Sequence, residues 1–393
     1  MFIEIALVLW SVAGLAWWMI AWRLVRANRG AEGPPAVTAE PRSLSIFKPL
    51  PPLGTRGLEE IAAALESFVA QLEPESELLL GVRQCDRVTV AHFVEAMRAK
   101  YPKARVRPVF RSEPDVVPNP KIAWQMLLAP HATGELWLWS DADIVAPPGF
   151  LQTACAQFAR SGAAMMTFPY VVRRTARPGA LLEALFVNAE FYPGVLLLRH
   201  FGEVDFGLGA GMLFERDEFL KCVDWTELGE FLADDFQLGQ RLRPVRIGAA
   251  MLETLPSGRK WSDALQHDLR WAKTIRWNRP GGFFARLLVM PVTGWLIAVA
   301  GHPLNIFAWV GLLGMIQAEM MATTLICHGI GCRVKWRDWM ILECWSFWRI
   351  AVWIVSWLPG PVVWRGQAWY GPRAGLPKSS EVVSERKPLT FHD

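Results

Sequence analysis

The chain has 393 residues, of which 52% are hydrophobic and 21 are Trp, too apolar a composition for an ordinary soluble protein of this length. The formal net charge of +4 comes without any Lys/Arg block interleaved with aromatics, which argues against a nucleic-acid partner. The six scattered cysteines form no paired CxxC and read as buried reduced thiols; a metal site at Cys327, His328 and Cys332 is the weaker alternative.

In chain order, Ile5 to Trp22 is an uncharged run long enough to cross a hydrocarbon core of roughly 30 Å. Its front, MFIE, lacks the basic end of a secretory signal, and Arg23, Arg26 and Arg29 follow it. Residues 1–30 therefore read as an uncleaved transmembrane anchor with the N-terminus outside and the next domain in the cytoplasm. Residues 31–42, opening AEGPPAVTAEP, have a linker composition.

Residues 43–285 are long enough for one sizeable core. SLSIFKPL predicts a strand ending at Lys48-Pro49, and LEEIAAALESFVAQL an amphipathic helix. ELLLGV, TVAHFVEAMRAKYP and ARVRPVF continue the alternation as strand, helix and strand. Asn119-Pro120-Lys121 leads into the helix IAWQMLLAPHA, and GELWLWSDADI is the next strand, with Asp141 and Asp143 at its carboxyl end. This pattern predicts an α/β fold with a parallel sheet, whose ligands bind beyond the carboxyl ends of the strands.

Residues 286–370 turn apolar again. Leu287 to Gly301 is short and broken by Pro291; Leu304 to Ile326 is long enough to span, with Glu319 inside; Met340 to Leu358 is Trp-rich but carries Glu343 and Arg349. One or two spans plus an interfacial helix are expected, followed by a polar tail over residues 371–393.

Three constellations can carry chemistry. Asp141-x-Asp143 alone fits a turn or cap. Two carboxylates at the mouth of an apolar strand are costly to hold close unless a cation neutralises them, and oxygen ligands of this kind suit Mg²⁺ or Mn²⁺ carried with a diphosphate. In EFLADDFQLGQRL, Asp234 and Asp235 sit at a helix start, where either is an N-cap or a general base. In HDLRWAKTIRW, His267, Arg270, Trp271 and Thr274 share one helix face, which lines a pocket or lies at a membrane surface.

Asp-x-Asp, then Asp-Asp, then His-x-x-Arg-Trp before membrane helices, together with FKPL, NPK, LLEALFVNAEFYPGVLL, LADDFQLG and VVWRG, resemble the family 2/21 glycosyltransferases of the ceramide glucosyltransferase type and their bacterial relatives, including hopanoid-pathway glycosyltransferases. The blocks run from about residue 44 to about residue 370. The resemblance implies a GT-A (nucleotide-diphospho-sugar transferase) domain on the cytoplasmic face of a multi-pass protein of the bacterial inner membrane. It implies an inverting transfer of a hexose, glucose from UDP-glucose, to the hydroxyl of a lipid such as ceramide, as in sphingolipid metabolism. Hopanoid or diacylglycerol acceptors are the alternative; a polysaccharide synthase needs more spanning helices, and a non-catalytic module would not need the acidic set.

By the same resemblance Asp141 and Asp143 bind Mg²⁺ or Mn²⁺, and Asp141 also belongs to the donor pocket. Asp235 is the base; His267, Arg270 and Trp271 form the (Q/R/H)xxRW motif at the diphosphate and acceptor end. Lys48, Asp86, Asn119 and Lys121 match positions near the nucleotide. One block departs: GVRQCDRVTV stands where the family pattern resembles GVQDPDDPAI, so Asp86 remains while Gln84, Arg87 and Val88 replace two acids and a proline. The donor base is left open by that change, and FPY (Phe168 to Tyr170) and GLGAGMLF (Gly207 to Phe214), where family members vary, leave the sugar and acceptor open.

Overall fold

The computed structural model describes residues 2–28, 42–53, 58–112, 116–173, 175, 178–255, 261–335, 338–365 and 367–374. The expected linker, apart from Arg42, and the polar tail beyond Ala374 lie outside the described residues.

Four strands, β1 (Leu44–Pro49), β2 (Glu77–Arg83), β3 (Arg105–Arg111) and β4 (Leu136–Trp139), lie parallel in the order β3-β2-β1-β4. They alternate with the helices Glu59–Val69, Arg87–Lys100 and Pro120–Leu128, as the sequence pattern predicts. The Pro in β3 is tolerated because β3 is the edge strand.

The later strands are β5 (Ile144–Val145), β6 (Met165–Thr167), β7 (Tyr170–Val171), β8 (Glu203–Val204), β9 (Met212–Glu215), β10 (Val245–Ile247) and β11 (Leu252–Thr254). Beyond β4 the large sheet continues β9-β6-β10-β8, with β9 antiparallel to both β4 and β6. Strands β5, β11 and β7 form a small second sheet, and β12 (Val362–Trp364) and β13 (Gln367–Trp369) a C-terminal hairpin. The parallel sheet expected from sequence is therefore a mixed one, because β8 and β9 return antiparallel.

The LWLW of β4 explains why the sheet is buried on both faces. Leu136 and Leu138 join Ile46, Leu78 and Leu80 under the helices Glu59–Val69 and Arg87–Lys100. Trp137 and Trp139 point the opposite way, into a cluster with Phe47, Leu79, Phe214 and Phe219. Trp139 stacks on Trp225 with centroids 5.7 Å apart. Each such side chain removed from water contributes about 1.5–3 kcal/mol, so β4 is a rigid base for the turn that follows it.

Among the described residues, three helices are long and apolar enough to cross a membrane: Phe2–Asn28, Gly179–Phe201 and Ile306–Ile330. Pro280–Val289 and Val292–Gly301 form a further apolar pair, bent by 71° at the Pro291 break. The Trp339–Ser356 helix is not among these candidate spans. Gly179–Phe201, inside the segment expected to be the catalytic domain, is an apolar and mostly buried helix interrupted by a π-turn at Val187–Phe191. Its Tyr192 and Leu196 pack with Trp18, Ala21 and Val25 of the first helix and Ile326 and Ile330 of the third. Gly14 lets the first helix approach the bend closely, since a Cβ there would stand 2.5 Å from Pro291 Cγ.

The acidic and basic residues that interrupt these apolar stretches meet one another. Arg349 pairs with both Glu190, in the π-turn, and Glu319, while Arg286 pairs with Glu190 and Ser346 donates to Glu319. The Arg349 side chain is 1% exposed and lies over the Trp18 ring at 5.5 Å. Two glutamates and two arginines thus neutralise one another inside the helical bundle.

Candidate functional site

The site is built at the carboxyl ends of β1, β2 and β4, where the buried sheet stops and polar side chains begin. Lys48, on β1, is fully buried; its Nζ donates to Ser140 Oγ at 2.9 Å and to the carbonyls of Asp141 and Ile144 at 2.7 and 3.3 Å. Its ammonium also lies 3.8 Å from the Phe68 ring centre. Burial pushes it down to about 7, against the opposing pull of Asp141 and Asp143. Lys48 therefore holds the turn that carries the two aspartates, and the structure turns it toward protein carbonyls.

Asn119 is likewise a support. Its Oδ1 accepts from the backbone N–H of Lys121 and Ile122 at 2.9 and 3.3 Å, capping the Pro120–Leu128 helix, and its Nδ2 donates to Phe231 O at 2.8 Å. The cap aims Lys121 inward: Nζ lies 2.8 Å from Asp141 Oδ1 and 3.7 Å from Asp234 Oδ2. Burial opposes the Lys121 charge, but Asp141 and Asp234 outweigh it and raise its pKa above the usual lysine value.

Asp234 and Asp235 occupy the first turn of the Asp234–Arg241 helix, whose N-cap is Ala233, so neither is the N-cap. The two diverge in environment. Asp234 is buried beside Lys121 and Asn119. Asp235 receives Phe236 N–H on Oδ1 at 2.8 Å and Gly209 N–H on Oδ2 at 3.2 Å. Burial, and then the Asp234 charge, push Asp235 up to about 6 while Lys121 pulls the other way.

Gly209 is where these groups converge. A Cβ at Gly209 would stand 3.1 Å from Lys121 Nζ, 3.2 Å from Asp141 Oδ2 and 3.7 Å from Asp235 Oδ2. The lack of a side chain keeps that space open between the acidic turn and the Asp235 helix. Sequence reasoning passed over this residue, although the Gly207-x-Gly209-x-Gly211 spacing was a visible signal of close backbone approach.

Asp143 stands exposed at the mouth of the cleft; the protein crowded about its carboxyl, and then Asp141, raise it above the ordinary aspartate range. Asp86 lies at the end of β2, with Oδ2 accepting from Leu53 N–H at 3.4 Å, and Gln84, Cys85 and Arg87 are exposed beside it. It shares the edge of the sheet with Asp141 but belongs to a strand separated from β4 by β1.

His267, Arg270 and Trp271 lie on the Trp261–Asn278 helix. His267 Nε2 is 3.9 Å from Glu183 Oε1, and Nδ1 is 3.7 Å from Asp268 Oδ1. Trp271 is seated edge-on among Tyr170, Phe186 and Phe191, at 6.4, 5.6 and 5.8 Å. Asp268 accepts from Trp348 Nε1 at 2.8 Å, tying this helix to Trp339–Ser356. Burial, followed by the charges of Glu183, Asp141, Asp143 and Asp235, pushes the Tyr170 phenol well above its usual value. Neither Glu183 nor Tyr170 was singled out from sequence as a site residue, and Glu183 lay in a stretch read only as one of the blocks.

Among the described residues, no group of three or more His, Cys, Asp or Glu side chains is arranged to hold an ion. That fits the donor set expected here: a hard cation arriving with a diphosphate needs only one or two carboxylates, its other ligands being phosphate oxygens and water. Asp141 and Asp143 supply that pair; the crowding of the Asp143 carboxyl by protein, and then the Asp141 charge, both disfavour its ionised form, and a cation would stabilise it. The Cys327–Cys332 alternative has no such set, and both thiols are free and buried.

A mixed α/β sheet with converging acids at its carboxyl edge is the frame of a sugar-nucleotide transferase. The model of glycosyl transferase family 21 matches residues 7–370, and the chain belongs to that family, with the GT-A architecture around its large sheet. No curated protein matches by sequence. Similar solved structures include a mannosyltransferase, PcManGT from Pyrobaculum calidifontis, in complex with GDP-Man and Mn²⁺, at 16% identity and a TM-score of 0.46, covering 91% of this chain and 99% of that one. Another is S. aureus TarS 1-349, at 12% identity and a TM-score of 0.37, covering 86% and 99%.

Proposed function

We propose that this glycosyltransferase is a membrane-bound inverting enzyme that moves a hexose, glucose from UDP-glucose, to the hydroxyl of a lipid such as ceramide. The observation that carries the reading is the convergence on Gly209 of Asp235 Oδ2, Asp141 Oδ2 and Lys121 Nζ. In this reading Asp235 removes the proton from the acceptor hydroxyl as its oxygen attacks the anomeric carbon from the face opposite the diphosphate. One base and one displacement invert the centre without a second carboxylate.

Asp141 and Asp143 would hold Mg²⁺ or Mn²⁺, which supplies positive charge against the leaving diphosphate. Lys121 adds a fixed cation beside Asp141, and Arg270 is assigned to the same charge. Lys48 and Asn119 keep the two acidic segments in register from below. Asp86 is assigned to the nucleotide end. Incubating the purified full chain with labelled UDP-glucose, UDP-galactose or UDP-N-acetylglucosamine, a divalent ion, and ceramide, diacylglycerol or a hopanoid alcohol tests this. A new glycolipid is the expected product, and transfer to none of these lipids overturns the reading. Asp143→Ala is expected to remove the dependence of donor binding on added Mg²⁺ or Mn²⁺, measured by calorimetric titration; unchanged metal dependence overturns the ligand assignment.

The apolar Gly179–Phe201 helix supports a lipid acceptor, because its Phe186 and Phe191 pack on Trp271 of the helix that bears His267 and Arg270. Arg23 and Arg26, at the end of the first helix, favour a cytoplasmic catalytic domain. With the Ile306–Ile330 helix crossing outward, Arg333→Cys is expected to react with an impermeant maleimide on intact cells. Labelling only after lysis overturns that orientation.

A further inference from the structure

Beyond the Trp339–Ser356 helix the chain returns to the catalytic domain. In the β12–β13 hairpin Val362 and Trp369 pair across the strands and are buried, while the next pair, Val363 and Ala368, is exposed. The buried pair packs on Leu232, with Trp277 and Trp364 against the same cluster. Residues 372–374 then run antiparallel to 230–232. Leu232 N–H donates to Pro372 O at 3.0 Å and Ala374 N–H to Glu230 O at 2.8 Å, with Phe231 opposite Arg373. The Arg373 and Arg241 guanidiniums lie over the Phe231 ring at 4.6 and 5.5 Å, and both pair with Glu227.

These contacts fall immediately ahead of the acidic helix. Ala233 is its N-cap and Asp234 and Asp235 its first turn, so the register of 230–232 sets where the Asp235 carboxyl meets Gly209 N–H. Asn119 Nδ2 holds the same segment through Phe231 O. We propose that residues 362–374 are a positioning strap for the catalytic base, with Trp369 as its anchor: the strap and Asn119 together clamp 230–232 and so fix Asp235 for proton removal. The strap acts through Asp235 and rests on the reading of that residue as the base. The Glu227 ion pairs are partly exposed and add little. The buried Trp369 ring and the two backbone hydrogen bonds carry the attachment. A base displaced by about 1 Å loses about 10²-fold in rate. The Asp141–Lys121 side of the cleft keeps its own supports in Lys48 and the Asn119 cap. Loss of the strap therefore shows in turnover and not in donor binding.

The test compares the wild type with Trp369→Ala, Trp369→Phe, Ala374→Pro and Asp235→Asn, as full-length proteins in detergent micelles with UDP-glucose, Mn²⁺ and ceramide. Trp369→Ala is expected to lower kcat by about 10²-fold. Ala374→Pro removes the N–H donated to Glu230 and leaves the Trp369 packing in place, so its loss should be smaller. Trp369→Phe keeps a buried ring and loses an indole N–H that has no partner among the described residues, so it should stay near the wild type. Calorimetric affinity for UDP-glucose with Mn²⁺ should be unchanged in all three strap variants. Hydrogen exchange over 230–236 should speed up in Trp369→Ala and Ala374→Pro. Ala374→Pro carries the test if Trp369→Ala does not fold. A kcat near the wild type in both, with Asp235→Asn inactive, overturns the strap and leaves the base reading standing, as does a loss of donor affinity that matches the loss of kcat. Near-normal turnover by Asp235→Asn overturns both. Where the wild type transfers nothing to ceramide, unchanged exchange over 230–236 overturns the strap by itself.

Discussion

Asp235→Asn is expected to lower sugar transfer by about 10²–10⁴-fold while donor binding stays near the wild-type value, the loss typical of removing a general base. The expectation rests on how the two neighbouring aspartates are divided. Asp234 is buried against Lys121 and Asn119, and its substitution would disturb the support of the cleft. Asp235 faces Gly209, on the side where Asp141 Oδ2 also points, so its carboxylate is the one the proposed mechanism assigns to the acceptor hydroxyl. The asparagine keeps the size of the side chain and one acceptor oxygen for either the Gly209 or the Phe236 N–H, and loses the charge, the second acceptor and the capacity to take a proton. Near-normal turnover would falsify the assignment.

The same carboxyl sets a pH limb. Burial and Asp234 push Asp235 up to about 6, so its basic form predominates above that pH and is lost as pH falls through it. Transfer should therefore drop about tenfold per unit below about pH 6. An unperturbed aspartate would place the limb near 4, and a pH–rate profile with its acid limb there overturns the base assignment.

The second large effect concerns stability. Arg349→Leu leaves Glu190 and Glu319 buried without the guanidinium that pairs with both, since Arg286 reaches only Glu190. Removing one partner of a buried ionic cluster costs about 3–5 kcal/mol, because the remaining charge keeps its desolvation penalty and loses its compensation. Thermal unfolding in detergent should show a marked fall in midpoint. Adding Glu319→Gln to Arg349→Leu should recover part of it, since one orphaned charge is then removed. A variant as stable as the wild type would show that the cluster is replaceable.

Much of the framework was legible before any coordinates. The strands from Leu44 to Trp139 and the helices between them follow from local periodicity, and the fully apolar LWLW already implied a strand covered on both faces. The acidic turn after β4 followed from that strand, because a chain leaving a buried sheet meets solvent at its end. The antiparallel return of β9 was not legible: it pairs β4 with a strand far along the chain, and no local pattern records such a partner.

The site divides in the same way. Residue types and their order along the chain sufficed for Asp141, Asp143, the Asp234-Asp235 pair and His267-x-x-Arg270-Trp271 as candidates, and for apolar segments at both ends. Folding decided that Lys48 and Asn119 face protein groups, and that Asp235 rather than Asp234 faces Gly209. Glu319 and Arg349 read as interruptions in apolar runs, and the structure joins them as partners. Hydropathy and periodicity are sums over neighbours in the chain, so they find the strand, the helix and the span. Charge pairing, burial and the direction of a side chain depend on neighbours brought together by packing, and only the folded chain contains those.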